Sequence, residues 1–239
     1  MDIELFPGGF SEWREVVFRT PDSDLIDKLI DADPRRALRY FAACLSLARE
    51  LAQYDALDVR AGLYCLAIES DYLRLWKNHL LPLDDRLSAV AAMGVLFEDY
   101  FALHCQPTHS RETELGKQLE NLSEPWWEMD RLPVSNIARV PGALELLATN
   151  WWDEVPFHPK RDDHAFISVL RRLLARLLGS DALVCQESAL YGMSENEDVL
   201  SVSWRKRLVG AYYARTSDCH PLRTLTVETL VHLNHLAPE

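Results

Sequence analysis

The feature that most constrains the fold is the spacing of apolar residues, which recurs every three or four positions along most of the chain. After Asp33-Pro34, one helical face carries Leu38, Phe41, Leu45, Ala48 and Ala52. Aspartate followed by proline is a strong start signal, because aspartate caps the first turn and proline tolerates its first position. No alternating pattern typical of strands persists in the sequence. The sequence therefore predicts an all-α fold.

Turn signals divide the apolar pattern into separate helices. The clearest helices are predicted at about 33–54, 58–81, 84–103, 141–149, 161–178, 182–193, 197–214 and 221–236. Those at 58–81 and 84–103 are apolar on more than one face, which is typical of helices buried among several neighbours. The short turn at Pro82 predicts that these two are antiparallel neighbours in the core of the first half. Gly179 is predicted at C′ of its helix, and Ser180-Asp181 as the next N-cap.

The length of 239 residues allows one large domain or two small ones. We expect a single all-helical domain whose halves, at about 1–105 and 157–239, are joined by a tryptophan-rich acidic segment at 106–156. Antiparallel helical hairpins of this kind form an irregular bundle or a short solenoid.

The helix at 182–193, Ala-Leu-Val-Cys-Gln-Glu-Ser-Ala-Leu-Tyr-Gly-Met, resembles the inner helix of HEAT-type repeats. The resemblance covers about residues 160–236. It implies a curved scaffold that binds partners without catalysis, and it implies no specific partner. A fixed period of about 40 residues, which a regular solenoid shows, does not run through the whole chain. The irregular bundle and the short HEAT-like solenoid both stay open.

The chain is acidic, with a formal net charge of −12 from 37 acidic and 25 basic residues. Phosphate backbones and anionic lipids repel such a protein, so we expect neither nucleic acid nor a membrane surface as its partner. A basic protein is the favoured partner. The alternative is that the charge serves solubility alone.

The sequence also favours the cytoplasm. The N-terminus lacks the basic region and apolar core of a signal peptide, and no apolar run reaches the roughly 20 residues that span a bilayer. The five cysteines are an odd number, and Cys44, Cys65, Cys105 and Cys185 lie in or just after apolar helical patterns. Scattered thiols of this kind suit a reducing compartment better than a disulfide framework.

Candidate catalytic and metal sites are weak. His104, Cys105 and His109 lack the paired cysteine spacing of zinc sites. A second candidate set, Glu228, His232 and His235, shares one helical face, but no partner motif supplies further ligands. The basic triplet at 205–207 lies inside a predicted helix. We find no nucleophile elbow and no phosphate-binding loop, so we expect no enzyme and no cofactor.

The tryptophan-rich segment is the candidate binding surface. Between Glu112 and Asp130 there are six acidic residues and only Lys117 as a base. Tryptophan is enriched at the energetic centre of interfaces, and carboxylates around it select a basic partner. The predicted contact residues are Glu120, Glu124, Trp126, Trp127, Glu128, Asp130, Trp151, Trp152 and Asp153. The alternative is that one tryptophan of each pair plugs the core and the other shields a helix end.

These features favour a non-catalytic protein-binding protein. Its most concrete form is an acidic immunity protein or antitoxin that inhibits a basic toxin domain, because carboxylates can mimic the phosphates of a nucleic-acid substrate. The alternatives are a HEAT-like adaptor or regulatory scaffold, and a metal-binding helical enzyme that uses the histidine sets described above.

Overall fold

Helices make up all the regular structure in the described part of the chain, which confirms the predicted all-α fold. The structure is a computed structural model and describes residues 5–70, 75, 80–106, 142–154 and 163–236, without the side chains of Glu69, Asp153 and Glu154. These residues form two compact units. The first contains the described residues up to Tyr100 together with 142–144, and the second contains the others.

The first unit is built from α1 (Gly9–Arg19), α2 (Ser23–Ala32), α3 (Pro34–Ser46), α4 (Ala56–Tyr64) and α5 (Leu83–Leu96). A 3-10 helix, Ala48–Gln53, follows α3, and a π-helical turn, Cys65–Glu69, extends α4. A second π-helical turn, Phe97–Phe101, continues α5 and leads into Ala102–His104.

Aspartates begin three of these helices. The carboxylates of Asp22, Asp33 and Asp55 accept hydrogen bonds of 2.9, 3.0 and 2.8 Å from backbone amides in the first turns of α2, α3 and α4. Amides at a helix start have no partner within the helix, so these caps stabilise each start by about 1 kcal/mol. The predicted start of α3 at Asp33-Pro34 is confirmed.

Ion pairs show that α3 and α5 run in the same direction. Asp85, near the start of α5, lies 2.7 Å from Arg35 and 3.2 Å from Arg39. Asp99, one π-turn beyond α5, lies 2.8 Å from Arg49, just beyond α3. The most extensive packing of α5 among the described elements is against α3. The predicted contact of α5 with a helix at 58–81 involves residues 71–74 and 76–79, which lie outside the described residues.

A glycine lets α1 and α4 approach closely. A Cβ atom at Gly62 would lie 2.4 Å from Phe18 Cδ1 and 2.7 Å from the Val17 carbonyl oxygen. Around this contact Trp13, Val17 and Phe18 are fully buried. A larger residue at position 62 would force these helices apart.

The second unit is built from α6 (Ala143–Glu154, from Glu145 on), α7 (His164–Leu178), α8 (Leu183–Glu195), α9 (Val202–Arg215) and α10 (Arg223–His235). Arg205 near the start of α9 contacts Met193 near the end of α8, and Tyr212 contacts Gln186. These two helices are therefore antiparallel. Arg223 at the start of α10 donates to the Tyr213 carbonyl near the end of α9, and His232 near the end of α10 lies 3.3 Å from Glu197, which precedes α9. Helix α10 therefore runs antiparallel to α9 and in the direction of α8.

Several predicted helices have different bounds in the structure. The helix predicted at 58–81 is interrupted at Ser70, which is extended with φ −94° and ψ 145°. The helix predicted at 33–54 ends at Ser46 and is followed by the tighter 3-10 segment. The helix predicted from Glu197 starts at Val202, because residues 196–200 form a turn anchored by the Asn196 amide on the Gly192 carbonyl.

The predicted turn chemistry between α7 and α8 is also wrong. Gly179 has φ −86°, so it does not adopt the left-handed conformation that favours glycine at C′. Ser180 does not cap α8. Its hydroxyl accepts a 3.2 Å hydrogen bond from the Ala182 amide, and α8 begins at Leu183 without a side-chain cap.

One stretch in the described residues, Leu83–His104, is long and apolar enough to cross a membrane by length and composition, with a mean hydropathy of 1.2. Half of its 18-residue apolar segment is buried in the structure. Asp85 of this stretch pairs with Arg35 and Arg39 of α3, and Asp99 pairs with Arg49, as in a helix that packs within the protein.

Candidate functional site

Most of the predicted contact surface lies outside the described residues. This applies to Glu120, Glu124, Trp126, Trp127, Glu128 and Asp130. Asp153 lies in α6, but its side chain is not described. Trp151 and Trp152 also lie in α6, which continues through Glu154 where the sequence predicts an end near Thr149.

Both described tryptophans of the predicted surface belong to the core. Trp151 and Trp152 are 0% and 1% exposed. Trp151 packs edge-on against Phe101 with ring centroids 5.9 Å apart, and Trp152 Nε1 donates a 2.8 Å hydrogen bond to Ser188 Oγ. The core alternative of the sequence analysis placed one tryptophan of each pair in the core, whereas both rings of this pair are buried. Neither ring offers surface to a partner in this conformation.

Helix α8 carries an unusual run of buried polar residues, Gln186, Glu187 and Ser188. The Tyr212 hydroxyl donates a 2.6 Å hydrogen bond to Gln186 Oε1, and Gln186 Nε2 donates to the Ser180 carbonyl at 2.5 Å. Glu187 is 0% exposed. Because burying unpartnered polar groups is costly, such a network fixes how α8 packs on its neighbours.

A cavity of about 210 Å³ lies at the carboxyl-terminal ends of α8 and α10. Its apolar wall comes from Met193 and Leu233, which are both buried. Arg205, Glu228 and His232 supply its ionisable groups, and two hydroxyl side chains, Ser194 and Thr229, complete the lining. The cavity opens to solvent, since Ser194, Glu228 and His232 are exposed.

The lining of the cavity includes a buried guanidinium. The side chain of Arg205 is only 3% exposed, and its NH1 lies 3.4 Å from the Met193 carbonyl and 3.7 Å from the Glu197 carboxylate. Glu197 also lies 3.3 Å from Nε2 of His232. Glu197, in the turn before α9, therefore links α9 to α10 at the edge of the cavity.

A tyrosine beside the cavity keeps its proton. Burial, together with the nearby carboxylates of Glu187 and Glu228, raises the pKa of Tyr191 to about 12. A phenol with this pKa is neutral at physiological pH. The two carboxylates come from different helices, Glu187 from α8 itself and Glu228 from α10.

The candidate metal residues form no group of three ligands in the described structure. His104 is exposed, Cys105 is partly buried, and His109 lies outside the described residues. On α10, Glu228 and His232 both line the cavity, while His235 is exposed and outside the lining. Within the described ranges, no three histidine, cysteine, aspartate or glutamate side chains are placed to hold a metal ion.

The sequence analysis did not connect Arg205 with Glu228 and His232. The polar run at 186–188 inside an apolar helix indicates that α8 packs against polar groups, but the sequence does not identify the residues that supply them. Comparisons with protein-family models, with curated proteins and with solved structures found no match to this chain.

Proposed function

We propose that this chain is a non-catalytic protein that binds a basic surface of another protein. The observation that carries the proposal is the net charge of −12. Exposed arginines of the described first unit are engaged in ion pairs. Arg19 and Arg49 pair with Glu15 and Asp99, and Arg35 and Arg39 share Asp85. Each of these carboxylates offsets one positive charge, so the acidic excess of the whole chain still sets the field that a partner meets.

The acidic segment around Trp126 and Trp127 is the proposed contact surface. Glu120, Glu124, Glu128 and Asp130 surround these tryptophans in the sequence. Aromatic anchors supply buried area at the centre of an interface, while the carboxylates steer a basic partner and reject acidic ones. In this proposal Trp151 and Trp152 hold α6 in the second unit, in keeping with their burial.

The specific form we propose is a cytoplasmic immunity protein or antitoxin. Carboxylates would occupy a toxin's basic cleft in place of the phosphates of its substrate. All five cysteines are free thiols, and burial raises the pKa of Cys44 to about 12. Cys44, Cys65 and Cys185 are buried, and scattered buried thiols of this kind suit a reducing compartment.

The test is binding to the protein encoded by the adjacent gene, measured by calorimetry at low and moderate salt. We expect Glu124→Gln/Glu128→Gln to weaken binding about tenfold or more, as expected for the loss of charged interface contacts. The control Asp24→Asn/Asp181→Asn removes the same charge from two exposed sites elsewhere, and it should bind within a few-fold of wild type. Equal loss in both variants, or no binding at all, would contradict the proposal.

A second candidate is an adaptor scaffold. In each unit a helix packs on the next-but-one helix in the same direction, α3 with α5 and α8 with α10. Stacked hairpin repeats pack in this way and present extended binding surfaces. An adaptor would leave its partner's activity unchanged on binding, whereas an immunity protein would abolish it.

A further inference from the structure

Two helices of the second unit contain basic residues and no acidic ones. Helix α7 has three arginines, and α9 has three arginines and one lysine. In a chain with 37 acidic and 25 basic residues, this arrangement concentrates positive charge on one pair of helices. We propose that the surface formed by α7 and α9 binds a short acidic peptide segment of a partner protein. This surface attracts the opposite charge from the acidic segment around Trp126 and Trp127.

An arginine and a tryptophan join the two helices at this surface. The guanidinium carbon of Arg171, in α7, lies 5.7 Å from the ring centroid of Trp204, in α9. Both residues are partly exposed. Contact with the indole face restrains the guanidinium, whose donors form a rigid fork. A carboxylate can therefore accept two parallel hydrogen bonds from Arg171 at a smaller loss of side-chain entropy than from a free arginine.

The cations of this surface lack the ion pairs that other arginines of the chain make. Within the described residues, Arg171, Arg172 and Arg207 form no ion pair with a carboxylate, and Arg172 donates a 3.2 Å hydrogen bond to the Ser168 hydroxyl. By contrast, the exposed arginines of the described first unit pair with carboxylates. A peptide carboxylate would not need to displace a protein carboxylate from α7 and α9, so its attraction to this surface is not offset.

Two nearby carboxylates are engaged elsewhere. Asp163 caps the first turn of α7 with a hydrogen bond of 3.2 Å. Glu197, in the turn before α9, lies 3.7 Å from Arg205 and 3.3 Å from His232 of α10. Residues two apart in a helix lie about 200° apart around its axis, so Arg207 projects on the side of α9 opposite Arg205. The outer side of α9 therefore stays positive.

The dimensions of the surface and the charge of the chain favour a peptide over a nucleic acid. From Trp204 to Arg215, α9 rises about 16 Å at ~1.5 Å per residue. An extended peptide covers this length with about five residues at ~3.3 Å each. A nucleic acid carries phosphates along its whole length, and those beyond this surface would meet a chain of net charge −12. A short acidic peptide keeps its charge on α7 and α9.

The experiment is a fluorescence anisotropy titration of labelled hexaglutamate with the full chain, at low and moderate salt. Hexaglutamine and a single-stranded oligothymidylate are the comparison probes. We expect saturable binding of hexaglutamate that weakens as salt rises, and binding of both comparison probes weaker by about tenfold or more. No saturable binding of hexaglutamate, or a comparison probe that binds as tightly as hexaglutamate, would overturn the proposal.

Variants at exposed positions locate the site without disturbing the core. Arg172→Gln/Arg207→Gln removes two positive charges from α7 and α9, and the control Arg19→Gln/Lys28→Gln removes the same charge from the first unit. We expect hexaglutamate binding to weaken about tenfold or more in the first variant and to stay within a few-fold of wild type in the control. Equal binding by these two double variants would overturn the assignment to α7 and α9. None of these outcomes depends on the proposed basic partner.

Discussion

The packing of the second unit predicts opposite effects for one substitution at two helical glycines. Replacing a helical glycine by alanine stabilises the helix by about 0.8 to 1 kcal/mol through backbone entropy. At Gly210 in α9, nothing lies within 4 Å of the new Cβ, so Gly210→Ala should keep this gain. At Gly192 in α8, the Cβ would lie 2.7 Å from Leu174 Cδ2 and 2.8 Å from the Trp152 indole. That indole is held by its hydrogen bond to Ser188 and has little room to move.

Overpacking of this kind costs about 1 to 3 kcal/mol. The gain in helix stability is common to both variants. Gly192→Ala should therefore be less stable than Gly210→Ala by the cost of overpacking, about 1 to 3 kcal/mol. Urea denaturation followed by far-ultraviolet circular dichroism measures both free energies of unfolding. If the two variants were equally stabilised, Trp152 would not pack against Gly192 as described, and the burial of the second tryptophan pair would lose its support.

Three further predictions concern the two cores and a histidine in the turn before α10. Trp152→Phe should lower the free energy of unfolding by about 1 to 3 kcal/mol, because it leaves the buried Ser188 hydroxyl without its donor. In a double-mutant cycle with Ser188→Ala, the double variant should lose less stability than the sum of the two single losses. Gly62→Ala should destabilise the first unit by about 1 to 3 kcal/mol in urea denaturation, because a backbone carbonyl faces the new Cβ at 2.7 Å. His220 accepts a 3.2 Å hydrogen bond from the Leu222 amide through Nδ1, and burial with a nearby guanidinium lowers its pKa below the ordinary 6.5. The unfolded chain then binds the proton more readily, so stability should fall as pH drops below about 6.5, and less so in His220→Asn. An equal pH dependence in wild type and His220→Asn would contradict this role of the imidazole.

Helix existence could be predicted from the sequence, because it depends on local signals. Apolar spacing and the Asp33-Pro34 start are confirmed as they stand in the sequence. The details that failed depend on tertiary contacts. The Asn196 side chain holds the turn before α9, and Ser180 satisfies a turn amide where a helix cap was predicted. A sequence pattern reflects only the spacing of residues that are close along the chain. It does not show which hydrogen bonds a side chain makes in the folded protein.

The candidate cavity could not be predicted from the sequence for a different reason. Glu228 and His232 share a helical face and were recognised as a candidate set. Arg205 stands in the previous helix, within a basic triplet that reads as solvated surface. Its burial follows from the antiparallel pairing of α9 with α8, which places it beside the Met193 carbonyl. Only the helix directions bring the three side chains to one cavity.

The most direct test of the proposed function is the association rate with the adjacent gene's product, measured by stopped-flow fluorescence over a series of salt concentrations. An acidic protein that steers a basic partner should associate fastest at low salt, and its rate should fall steeply as ionic strength rises. Trp126→Ala/Trp127→Ala should mainly raise the dissociation rate, because aromatic anchors act after encounter. An association rate that does not change with salt would contradict the claim that the charge of this chain recognises its partner.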